Sequence, residues 1–252
     1  MSVKFGVQLY TLRDLTARNF IGTLEKVAAL GYQGVEFAGY GGIEANQLKE
    51  RLDQLGLLAA GSHVSYERML SSLEEEITYN KILGNRNLII PYFEGNKFSD
   101  GEERRRFLEN LNQIGQKCAE ADMQLLYHNH EFEFTIEVNG KTMFDYIFDS
   151  MDKSLLQAEL DACWAFRAGY DPAAIIRQYN DRMPLVHLKD MRKNNDGQVL
   201  TVELGQGEVN LNRIVAAATD SAVQWLIVEQ DECQDEPLAS IATSMGWIKR
   251  NT

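Results

Sequence analysis

Residues 123–130 read MQLLYHNH, an apolar run that ends abruptly in polar, chemically active side chains. Seven other stretches are built the same way: KFGVQLY (4–10), QGVEF (33–37), LLAAGSH (57–63), NLIIPYF (87–93), LQAELD (156–161), PLVHLKD (184–190) and QWLIVEQD (224–231). Each reads as a strand, and apolar residues at helical spacing fill the intervals. The spacing predicts helices over 19–31, 44–56, 72–84, 101–121, 171–181 and 210–220. Gly31, Gly56 and Gly84 stand where helix-ending glycines belong. A strand every ~24–40 residues, with a helix between each pair, is the pattern of right-handed parallel βα units. Eight such units close a (β/α)8 barrel of the α/β class, a TIM barrel, as one domain over residues 1–252. The rival is a doubly wound open sheet. It wants about five or six strands and usually a glycine-rich first turn, and LYTLRD after the first strand has no glycine.

The 252 residues are 44% hydrophobic and 25% charged, enough apolar material for a sizeable core. With 25 Lys+Arg against 37 Asp+Glu, the net charge of −12 opposes binding to a phosphate backbone, so no nucleic-acid partner is expected. Cys118, Cys163 and Cys233 are an odd number without CxxC spacing, which fits a reduced setting rather than a disulfide framework or structural zinc. The segment MSVKFGVQLY lacks a signal-like apolar region, and no stretch reaches the ~18 apolar residues of a membrane span. The expectation is a cytoplasmic protein with no membrane partner. The acidic and basic residues at 74–76 and 102–106 belong to solvated helix faces.

In a (β/α)8 barrel, chemistry gathers where the strands end, so the polar residues closing each run are the candidates. All four histidines, His63, His128, His130 and His187, fall there. His128, Asp161, His187 and Glu229 end strands five to eight on one wall, and imidazole nitrogens with carboxylate oxygens are a ligand set for a divalent metal. His63 is read on the far side of the barrel, as a substrate contact or a core histidine. His130 is read as a substrate or proton-transfer residue. Gln8, Tyr10, Glu36, Glu131, Trp164 and Arg192 complete the substrate-binding candidates, Trp164 as a ring to pack on an apolar face of the substrate. Lys189, Asp190 and Arg192 could bind hydroxyls, a carboxylate or a phosphate.

The ordered motifs FGVQLYTLRD, GVEF, YHNHEFEF, ELDACWAFRAG, VHLKDM, ELGQGEVN and IVEQD resemble the sugar phosphate isomerase/epimerase group of xylose-isomerase-like TIM barrels. That group includes ketose 3-epimerases, inosose isomerases and dehydratases, and endonuclease IV. The resemblance implies one divalent ion, manganese first, with zinc, cobalt, iron or magnesium as alternatives. Its ligands would be a Glu, an Asp, a His and a second Glu; Asp161, His187 and Glu229 match, while His128 stands where many members have glutamate. It implies an isomerase or epimerase acting on a keto- or aldo-sugar or polyol through an enediolate-type intermediate, with Glu229 as one base. His130, Glu131, Glu133 and Lys189 are the candidates for its partner. A metal-dependent lyase or dehydratase of keto-sugars or inosose is the second reading, and a catalytically silent sugar-binding barrel the third. Barrels of this type commonly associate, so a homo-oligomer is compatible with the sequence.

Overall fold

The computed structural model describes residues 3–252. The eight expected runs pair in parallel as one closed barrel. They are β1 (Lys4–Gln8), β2 (Gly34–Phe37), β3 (Leu58–His63), β4 (Asn87–Ile90), β5 (Gln124–His128), β6 (Gln157–Asp161), β7 (Leu185–Leu188) and β8 (Trp225–Val228). Closure lies in the register: Lys4 to Val7 of β1 pair with Trp225 to Val228 of β8. That pairing removes both sheet edges and excludes the open sheet.

A main helix, the longest after its strand, follows each one: α1 (Phe20–Leu30), α2 (Ala45–Leu55), α3 (Tyr66–Leu83), α4 (Gly101–Glu120), α5 (Met143–Ser150), α6 (Pro172–Gln178), α7 (Leu211–Thr219) and α8 (Pro237–Asn251). Their ends are chemically marked. The Asn19 side chain accepts from Gly22 N at the start of α1, and Gly31 takes the left-handed conformation at its end. Asp100 accepts from Glu102 N and Glu103 N to start α4. Helix α3 begins well before the expected residue 72, because the Ser65 side chain caps it; the expected start coincides with a kink at Ser72. Helices α5 and α8 were not among the expected ones. Among the described residues, all three cysteines are free and no helix is long and apolar enough to cross a membrane.

Side chains alternate along a strand, so one face of every strand looks into the barrel. Ile89, Leu126, Leu185, Trp225 and Ile227 share that inward phase and, with Ala60, form an apolar plug separate from the outer core. Trp225 fits because Gly34 has no side chain: a Cβ there would press on the indole ring and on Leu58 O. Two residues further along the same faces come His128, His187 and Glu229, with Glu159 and Asp161 on β6. The polar site is thus the layer above the plug, at the C-terminal ends of the strands.

Candidate active site and metal centre

A cavity of about 460 Å³ opens over this layer, lined by Tyr10, Ala38, His63, Pro91, Tyr92, His128, His130, Glu229 and Asp231. Beneath it the candidate ligands form two groups. Asp161, His187 and Glu229 bring donor atoms within 4.8 Å of one another, and so do His63, His128, Glu159 and His187. The expected set of four is therefore divided, with His187 common to both parts. Register is the cause. His128 of β5 stands opposite Glu159 of β6, and Asp161 stands opposite His187 of β7, so His128 ends one residue pair below Asp161.

In the first group His187 Nδ1 lies 2.9 Å from Glu229 Oε2. Asp161 Oδ1 accepts from Cys163 N and Trp164 N at 2.9 and 3.0 Å, starting the short helix Ala162–Arg167. Its Oδ2 accepts no well-directed hydrogen bond and faces Lys189 Nζ at 2.8 Å. Asn129, between the two histidines of HNH, pins the strand ends together: it accepts from Asp161 N at 3.0 Å and donates to Asp161 O at 3.3 Å. Fully buried Lys189 also reaches Glu229 at 2.8 Å and Asp231 at 3.0 Å. Burial alone would strip the Lys189 proton, but the three carboxylates hold it well above the usual lysine range. The Glu229 carboxyl is pushed up by burial and pulled well below its usual range by Lys189 and His187.

In the second group Glu159 Oε2 lies 2.7 Å from His63 Nε2 and 2.9 Å from His128 Nδ1. The ring centroids of His63 and His187 are 5.5 Å apart in a stack, and those of His63 and His128 are 5.2 Å apart. His63 is thus central, not on the opposite side as expected. Burial lowers its proton affinity, yet Glu36 and Glu159 raise its pKa to about 10. The Glu159 carboxyl, disfavoured by burial, is held well below the usual range by His187 and His63. His130 differs: burial, with His128 and Lys189 nearby, lowers its pKa to about 3, so it is a neutral imidazole, and its Nδ1 has no partner.

Several expected substrate contacts are placed elsewhere. Gln8 and Glu36 are fully buried and do not line this cavity; Gln8 Nε2 donates to Glu36 Oε2 at 2.8 Å, and the register sets the two side by side beneath the floor. Space for Glu36 comes from Gly61, where a Cβ would collide with its Oε1. Glu131 pairs with Arg167 at 3.0 Å on the rim. Glu133 faces away from the cavity, accepting from Tyr127 OH at 2.9 Å and His130 N at 2.6 Å, so it positions the His130 backbone. Trp164 does not line the cavity; its ring lies 5.4 Å from Lys189 Nζ. Arg192 is exposed on a two-stranded ribbon formed by Asp190–Lys193 and Val199–Val202. Asp190 turns inward to the loop at 205–209. Tyr10 does line the cavity. Glu159 and Tyr92 were not singled out from sequence. Glu159 could have been, since it shares the inward phase of Asp161 two residues on.

The family described as Xylose isomerase-like TIM barrel matches residues 24–251. An inosose dehydratase from Clostridium perfringens is 24% identical, with 95% of this chain and 92% of that protein covered. Among solved structures, a sugar phosphate isomerase/epimerase from Parabacteroides distasonis has a TM-score of 0.80 at 21% identity, covering 98% of both chains. A D-allulose 3-epimerase from Methylomonas sp., solved in complex with D-allulose, has a TM-score of 0.75 at 14% identity, covering 100% of this chain and 98% of that one. These likenesses carry the fold, and the family match spans nearly all of it: the chain belongs to the xylose isomerase-like TIM barrel family.

Proposed function

We propose that this chain is a divalent-metal-dependent enzyme that moves a proton at the carbon next to a carbonyl of a sugar or polyol, as an isomerase or epimerase. The observation that carries the reading is the cavity itself, which meets the Asp161, His187 and Glu229 group through Glu229. The group fits an ion. Its donors are one imidazole nitrogen and carboxylate oxygens, and the buried Asp161 Oδ2 accepts no directed hydrogen bond, having only the Lys189 ammonium at 2.8 Å beside it. Bound there, a divalent ion would supply Lewis-acid stabilisation of charge developing on the substrate oxygens.

The protein's own groups do the rest. Glu229 reaches the cavity as a carboxylate, the form a general base requires. His130, kept neutral with Nδ1 unpartnered in the same cavity, is a proton carrier at that nitrogen. Lys189 and Asp231 hold Glu229 in place as a charged triad, and Tyr10 and Tyr92 give the cavity two aromatic sides. A dehydratase acting on an inosose-like substrate is the second reading. It is favoured by the near-full-length likeness to inosose dehydratase, and by a histidine rather than a second carboxylate at position 128. Incubation with keto-sugars and inososes in D₂O, with Mn²⁺, Co²⁺ or Zn²⁺ added, tests both. Deuterium at the carbon next to the carbonyl supports proton transfer, and loss of water from the product marks the dehydratase. Absence of exchange with every metal and substrate class would overturn the enzymatic reading.

A further inference from the structure

We propose that His63, His128, His187 and Glu159 form a second cation site, nitrogen-rich and below the cavity floor, that takes a borderline divalent ion such as Zn²⁺ or Co²⁺. It is distinct from the ion assigned above to Asp161, His187 and Glu229: of those three only His187 is shared, and it turns Nε2 to this cluster and Nδ1 to Glu229. Three imidazole nitrogens converge on one oxygen: His63 Nε2, His128 Nδ1 and His187 Nε2 stand 2.7, 2.9 and 3.4 Å from Glu159 Oε2. The other oxygen, Glu159 Oε1, is buried with no partner at all. As hydrogen bonding this leaves half of the carboxylate unused, because Oε2 takes both the His63 and His128 contacts, with the His187 nitrogen closer to Glu36, while Oε1 is left idle. As coordination it is good. Four donors about 2.0–2.2 Å from a tetrahedral ion lie roughly 3.3–3.6 Å apart, so the closest pairs here need open by less than about 1 Å.

Charge points the same way. Glu36 Oε2 lies 2.6 Å from His187 Nε2 and 3.3 Å from His63 Nε2, so two fully buried carboxylates, Glu36 and Glu159, flank the three rings. A divalent cation balances both while the imidazoles stay neutral, which is the form that ligates. The outer partners are in place: Gln8 Nε2 holds Glu36, and Glu229 faces the opposite nitrogen of His187, fixing its ring. His63 and His128 line the cavity, which gives the ion its way in. Three nitrogens and one oxygen select zinc, cobalt or ferrous iron over magnesium, whose preference is for oxygen.

One equivalent of Co²⁺ or Zn²⁺ added to the chelator-treated protein reads the site without any substrate. The expected results are the intense visible absorption of tetrahedral Co²⁺, and three imidazoles around Zn²⁺ by X-ray absorption spectroscopy. Asp161→Asn should keep both signals. His63→Gln and Glu159→Gln should each abolish them and weaken Zn²⁺ binding about 100-fold or more in competition with a chromophoric chelator. Two or fewer imidazoles on the ion, loss of the signals in Asp161→Asn but not in Glu159→Gln, or no binding by the folded chain would each overturn the site. The imidazole count uses the unaltered protein, so it decides the matter even where a variant fails to fold. Proton exchange into a sugar is not part of the readout, so failure of the proposed reaction leaves this result standing.

Discussion

His128 stands level with Glu159 and not with Asp161: its Nδ1 lies 2.9 Å from Glu159 Oε2, while its Nε2 is 3.9 Å from Asp161 Oδ2. Asp161 is therefore the carboxylate that belongs with Glu229 and His187, and it can be changed with little effect on the histidine cluster. In Asp161→Asn the remaining oxygen still accepts from Cys163 N and Trp164 N, so the short helix keeps its cap. The expected outcome is a fall in turnover of about 10²–10⁴-fold with the folded circular dichroism spectrum retained and a lowered melting temperature, because Lys189 loses one of its three buried counter-charges. Steady-state kinetics beside circular dichroism melts check it; turnover within about threefold of the parent, well short of that range, would remove Asp161 from the chemistry.

Among the described residues Lys189 is the only cation placed against Asp161, Glu229 and Asp231 together, and it is fully buried. Lys189→Met removes the positive charge and leaves three carboxylates facing one another. The expected loss is about 3–5 kcal/mol of folding stability, the usual effect of orphaning buried charge. A saturating divalent ion should restore part of it by supplying positive charge to Asp161 and Glu229. Urea unfolding with and without Mn²⁺ measures both effects, and a loss below about 1 kcal/mol would mean that water already screens the group.

The barrel was legible because its strands are short apolar runs with polar ends, and because closure needs only that eight of them alternate with helices. Helix α8 escaped notice because Ser240, Ser244 and Gly246 dilute a pattern whose buried apolar residues are Ile241, Met245 and Ile248. At the site, residues that end strands were readable: Asp161, His187 and Glu229 do come together. Depth was not. Whether His128 meets Asp161 or Glu159 depends on the stagger between β5 and β6, which barrel closure sets and no single stretch of sequence carries. Gln8 and Glu36 sank below the floor for the same reason. Their register sets Gln8 level with Glu36, to which it donates, and Glu36 in turn meets His187.

Asp190 shows how a strand-end acid can serve structure alone. Its carboxylate accepts from four backbone amides, of Met191, Gly205, Gly207 and Val209, at 2.9, 2.9, 2.9 and 3.1 Å. The approach is close enough that a Cβ on Gly207 would overlap Asp190 Oδ1 and Met191 O, which explains the second glycine of GQG. Asp190→Ala leaves those amides without their acceptor and should lower stability by about 2–4 kcal/mol. Gly207→Ala should act in the same direction. Amide hydrogen exchange at residues 205–209 provides the direct reading; unchanged protection there in Asp190→Ala would show that the carboxylate does not hold the loop.

Glu133 makes stability depend on pH. Burial raises its pKa to about 7 from 4.5, against the hydrogen bonds from His130 N and Tyr127 OH. Below pH 4.5 the group is protonated whether the chain is folded or not. As pH rises toward 7, the unfolded chain gives up the proton while the folded chain retains it, so folding loses stability through that window and the loss is complete above it. Glu133→Gln has no proton to lose. It should be less stable than the parent at pH 5, because one of its two acceptors becomes a donor. The deficit should shrink or reverse by pH 8, a relative change on the order of 2–3 kcal/mol. Urea midpoints for both proteins at pH 5, 6, 7 and 8 trace this, and a difference that stays constant across the series would show that Glu133 ionises in the folded chain as it does in water.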